Sequence, residues 1–81
     1  MNVTCTFDQV EFGKRIKNAR QKLHFTRSDV AKKLGVTPQA VGNWERSRNS
    51  PEIGCLIRLS EVLNVSLDFL FTGVEYSFTA A

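Results

Sequence analysis

Three features of this 81-residue chain predict an all-α fold, a compact bundle of five short helices. Apolar residues recur every three or four positions along most of it, the spacing of a helix that buries one face. Residues able to cap a helix stand just before the recurring stretches, at Asp8, Thr26, Thr37 and Ser66. Residues suited to a left-handed helix end stand just after them, at Gly35, Asn64 and Gly73.

The first helix is expected to start near Thr6 or Asp8, because Thr6-Phe7-Asp8-Gln9 and Asp8-Gln9-Val10-Glu11 both resemble capping boxes. Phe12, Ile16, Ala19 and Leu23 form its apolar stripe, and Lys14, Arg15, Lys17 and Lys22 lie off it. The second helix spans 27–34. Thr26 caps it, Asp29 makes an imperfect capping box, and Val30, Ala31 and Leu34 turn inward. Gly35 allows the positive φ that ends it. The third helix spans 38–46, with Thr37 as cap and Pro38 in the first turn, where a missing N–H costs nothing. Ala40, Val41 and Trp44 face inward, which leaves Gln39, Gly42, Asn43 and Arg46 facing out.

Ser47-Arg48-Asn49-Ser50-Pro51 reads as a polar, basic loop. The fourth helix begins near Glu52, buries Leu56, Leu59, Ser60 and Leu63, and ends at Asn64. The fifth spans 67–71, with Ser66 as cap, Asp68 beside the positive dipole end and Thr72-Gly73 as its stop. Phe12, Ile16, Ala19, Leu23, Val30, Ala31, Leu34, Val36, Val41, Trp44, Leu56, Leu59, Leu63, Val65, Leu67 and Leu70 are the expected core. The domain covers 1–73. Residues 74–81 form a tail that is either strand-forming or disordered, since Val74, Tyr76 and Phe78 alternate with polar residues as Val3, Cys5 and Phe7 do. Pairing of these two ends, within the chain or across a dimer axis, is one reading of that alternation.

Composition narrows the function. A chain of this length makes one domain with a modest core, and 42% hydrophobic content argues against disorder. No apolar run approaches the ~20 residues of a membrane helix, and no charged start with an apolar h-region marks a secretory signal. Without that signal, Asn2-Val3-Thr4 reads as an accidental glycosylation sequon. Cys5 and Cys55 are isolated thiols without metal spacing, which suits a reducing cytoplasm. No metal cluster, phosphate loop or nucleophile–base pair stands out, so neither a cofactor, a small-molecule ligand nor an enzyme is expected. The net charge of +3 conceals an asymmetry: from Lys14 to Arg48, ten Lys/Arg face only Asp29 and Glu45, a net +8. A basic middle between acidic ends suits a polyanionic partner.

The basic segment coincides with a short helix, a glycine-containing turn and a second short helix, the DNA-binding helix-turn-helix arrangement. Leu34-Gly35-Val36-Thr37 leading to Trp44-Glu45-Arg46, then Pro51, then Leu63-Asn64-Val65-Ser66-Leu67-Asp68-Phe69-Leu70, resembles the Cro/phage-repressor (XRE-type) family. The resemblance runs from about Phe12 to Gly73. It implies a five-helix domain that binds double-stranded operator DNA, usually as a homodimer. It assigns base contacts to Thr37, Pro38, Gln39 and Asn43, and Gln39 and Asn43 suit bidentate reading of adenine. Pro38 departs from the Gln or Arg common at its position and offers only apolar contact, leaving part of the specificity to DNA shape. Phosphate contacts fall to Arg27, Ser28, Arg46, Arg48 and Asn49, with Lys14, Arg15 and Lys17 widening the basic surface. Arg20 and Glu45 hold positions that form a structural ion pair in relatives. His24 stands where the family commonly has glycine and is assigned no chemistry.

The expected function is sequence-specific transcription regulation in the cytoplasm, by a phage or prophage repressor acting as a dimer on a palindromic operator. An antitoxin or restriction-modification controller with an added protein partner is the alternative. Ile57, Phe69 and Phe71 are the candidate dimer residues.

Overall fold

The computed structural model describes residues 7–74. The terminal alternating segments therefore lie almost wholly outside the described residues. Five helices follow in order: α1 (Gln9–Lys22), α2 (Arg27–Leu34), α3 (Pro38–Glu45), α4 (Ile53–Leu63) and α5 (Leu67–Thr72). Among the described residues none is long and apolar enough to cross a membrane.

Side-chain caps start four of them. Asp8 accepts from the Glu11 N–H, Thr26 from Asp29, Thr37 from Ala40 and Ser66 from Phe69. The box at α2 is complete, since the Asp29 carboxylate accepts the Thr26 N–H at 2.8 Å. That backbone bond, followed by the one from the Thr26 hydroxyl, holds the Asp29 carboxyl below its ordinary value. Glu52 precedes α4 without a side-chain cap bond. Gly35, Asn64 and Gly73 end α2, α4 and α5 in the left-handed region.

The core draws on all five helices: Phe12, Ile16 and Ala19, then Val30 and Ala31, then Val41 and Trp44, then Leu56, Leu59 and Leu63, and finally Leu70. α3 packs between α1 and α2, α4 lies against α2, and α5 closes on α1 and α4. Leu34, Val36, Val65 and Leu67 sit at the edge of this core, half-buried.

Two expectations fail. Leu23 is 37% exposed, because α1 ends at Lys22 and Leu23 is its C-cap, turned off the stripe. Gly42 is buried: the Arg46 guanidinium folds back over it, 3.1 Å from where a Cβ would stand. Gly13 carries no motif, yet a Cβ there would come within 2.7 Å of the carbonyl oxygens of Trp44 and Glu45. Only glycine lets α1 cross the end of α3 this closely.

Candidate nucleic-acid interface

Glu45 is the centre from which α3 is held. Its side chain is 1% exposed, and a carboxylate so buried needs partners to offset its lost hydration. Arg20 of α1 grips it with two bonds, Nε at 2.6 Å and Nη2 at 3.1 Å, and sends Nη1 to the Phe25 carbonyl at 2.9 Å. Arg27 of α2 adds a third, Nε to Oε1 at 3.0 Å. Three helices thus meet on one carboxylate. Arg27, expected as a phosphate contact, is built into this cluster, with 40% of its side chain still exposed. Among the described residues no buried side-chain polar atom lacks a partner.

The expected base-reading residues gather on one edge. Thr37, Gln39 and Asn43 line a cleft of about 500 Å³ between α3 and the start of α4, together with Asn49, Pro51, Glu52 and Cys55. Pro38 and Gln39 are exposed on the first turn. Thr37 accepts the Ala40 N–H at 3.1 Å, which leaves its hydroxyl hydrogen, one lone pair and its methyl for outward chemistry. Asn43 Oδ1 accepts from Arg46 Nη2 at 3.3 Å, which turns the amide nitrogen of Asn43 toward other acceptors. Arg46 therefore lies along α3 beside the readers instead of out in the loop. Glu52 places an acid on a cleft otherwise suited to DNA, and no motif marks it. Burial, then Glu52, raises the Cys55 thiol, which makes it a poor nucleophile.

Arg27 and Ser28 lie elsewhere, in an open recess of about 750 Å³ lined also by Lys17, Arg20, Gln21, His24, Phe25 and Thr26. The other expected phosphate residues, Arg48 and Asn49, are exposed after α3. Their loop is anchored through Ser47, whose hydroxyl donates to the Gln9 carbonyl at 3.0 Å and whose φ is 64°. Two members of the wider basic surface are engaged differently. Arg15 donates to the Leu70 carbonyl at 3.2 Å and ties α1 to α5, while Lys14 pairs with Glu11 at 3.4 Å.

The candidate dimer residues separate. Phe69 is half-buried against the core, whereas Ile57 and Phe71 are 46% and 40% exposed. Phe71 stacks on Phe12 at 5.5 Å, and Ile53, one turn before Ile57, is 76% exposed.

This arrangement has known counterparts. The helix-turn-helix family model matches residues 16–70. The chain belongs to that family. It is 38% identical over 68 residues to the HTH-type transcriptional regulator ImmR of Bacillus subtilis, a match covering 84% of this chain and 54% of ImmR. The P22 c2 repressor, solved in complex with a synthetic operator, superposes with a TM-score of 0.75 at 36% identity, covering 78% of this chain and 96% of that one. The restriction-modification controller protein C.AhdI from Aeromonas hydrophila gives 0.73 at 25% identity, with 79% and 97% covered. The chain spans about half the length of the curated relatives it matches. The first of these is a transcriptional regulator, the second a repressor and the third a controller protein.

Proposed function

We propose that this chain is a sequence-specific DNA-binding module of a transcription regulator, most simply a phage or prophage repressor working in the cytoplasm. The observation that carries this is the exposed α3 edge: Gln39 and Asn43 stand on a helix that Arg20, Arg27 and Glu45 fix from behind. Amide side chains held on a rigid helix suit base edges in the major groove. The likeness to a repressor solved with its operator supports the same reading.

In this reading Thr37, Pro38, Gln39 and Asn43 meet bases, and Arg27, Ser28, Arg46, Arg48 and Asn49 meet phosphates. Arg46 is placed to do both, through its bond to Asn43. A homodimer would set two α3 helices ~34 Å apart on a palindromic operator, one turn of duplex. Selection of bound sequences from a random duplex library tests this. Recovery of a two-fold site with half-sites one turn apart is the expected result, and failure to enrich any sequence would leave only non-specific binding. The likeness to C.AhdI, almost all of which this chain covers, favours a restriction-modification controller as the second reading. A methylase gene beside this one would decide for it.

A further inference from the structure

We propose that His24 is a ligand for a DNA phosphate, and that the recess it shares with Lys17 and Arg27 holds the backbone more tightly when the imidazole is protonated. This rests on the DNA-binding reading and deepens it.

The geometry around His24 is specific. Its φ of 59° is unusual for a side chain with a Cβ. The turn is locked on both sides, since its own N–H donates to the Gln21 carbonyl at 3.0 Å and the Phe25 N–H to the Arg20 carbonyl at 3.2 Å. The ring therefore projects from a fixed root. It is exposed, and among the described residues it makes no hydrogen bond to protein.

The groups around it carry one sign of charge. Lys17, Arg20 and Gln21 face the recess from α1, and Thr26, Arg27 and Ser28 from the start of α2. Among the described residues no carboxylate lines it. Glu45 is buried behind, with both oxygens taken by Arg20 and Arg27, and Asp29 is engaged by the backbone and hydroxyl of Thr26. Lys17 and the exposed part of Arg27 line the recess with the imidazole; Arg27 already has Glu45 behind it, and among the described residues Lys17 has no counter-ion of its own. A phosphate oxygen placed among them supplies it, accepting from the ring, the ammonium and the guanidinium together.

His24 is the single histidine of the chain, and imidazole is the side chain whose charge ordinarily changes between pH 5 and 8. The test is the salt dependence of duplex binding at about pH 5.5 and about pH 8, for the wild-type chain and His24→Gly. Glycine at 24 removes the ring and relieves the left-handed backbone, so the variant keeps its fold, which thermal unfolding verifies. The expected result is a slope of log K against log salt steeper by about 1 per bound chain at the lower pH, the signature of one more neutralised phosphate. In His24→Gly that difference disappears. Equal slopes at both pH values in the wild type, or a difference that survives in His24→Gly, would overturn the role of His24 while leaving DNA binding intact. No duplex binding at either pH in low salt would overturn the DNA reading and this inference with it.

Discussion

The surface around α2 and α3 and the surface of α4 and α5 are built on opposite plans. On the first, polar side chains are exposed and several of them are tied to something behind them. Thr26 and Thr37 cap helices, Asn43 is braced by Arg46, and Arg27 leans on Glu45. On the second, large apolar residues are exposed, Ile53 at 76%, Ile57 at 46% and Phe71 at 40%, among polar ones such as Arg58, Glu61 and Asp68. α4 also starts without a side-chain cap. A reading surface must hold its donors and acceptors in one geometry before DNA arrives, because ordering them on binding costs affinity. An apolar face has no such need, and its exposure matters only if another surface covers it.

The contrast is most directly broken at Glu45. Glu45→Ala leaves Arg20 and Arg27 around an empty site, and the expected loss is ~3–5 kcal/mol of stability, read by denaturant unfolding. A loss under ~1 kcal/mol would mean that the cluster does not hold α3. Gly13→Ala should also be strongly destabilising, since the added carbon meets two backbone carbonyls at 2.7 Å. Equal midpoints for Gly13→Ala and wild type would show that α1 and α3 can part without cost.

Gln39→Ala should leave stability within about 0.5 kcal/mol, as for most surface changes, but weaken binding to the selected operator by ~1–3 kcal/mol and relax one base pair. Uniform weakening on all sequences would move Gln39 from base reader to phosphate contact. Ile53→Ser is the matching change on the other face. It should leave the unfolding of the isolated chain within about 0.5 kcal/mol and reduce self-association measured by sedimentation. Unchanged self-association would take α4 out of the proposed dimer.

The smallest effect concerns acid. The Asp29 carboxyl titrates lower in the folded chain than its ordinary 3.8, so its stabilisation is present above that value and fades as pH falls through the folded one. Asp29→Asn should therefore lose less stability than wild type between pH 5 and strongly acid solution, by thermal melts below about pH 4. Parallel curves would show that the box at α2 contributes nothing.

Helix existence and most helix ends were legible because their causes are local. A threonine three residues before its N–H partner, or a glycine just past the last turn, is visible within a handful of residues. Gln39 and Asn43 were legible for the same reason, since 3.6-residue periodicity places them opposite Val41 and Trp44. Gly42 was misread by that very rule, because periodicity points it outward and says nothing of an arginine four residues on folding over it. Arg27 showed its charge but not its partner, which lies 18 residues away on another helix.

What the chain determined by itself, then, is the five-helix order, the caps and the polar edge of α3. The crossing of helices decided the rest. Gly13 beneath the end of α3, the three-way grip on Glu45 and the gathering of Lys17, His24 and Arg27 around one recess depend on the angles and distances between distant elements. Those follow from how the whole core fills space, and no local pattern records them.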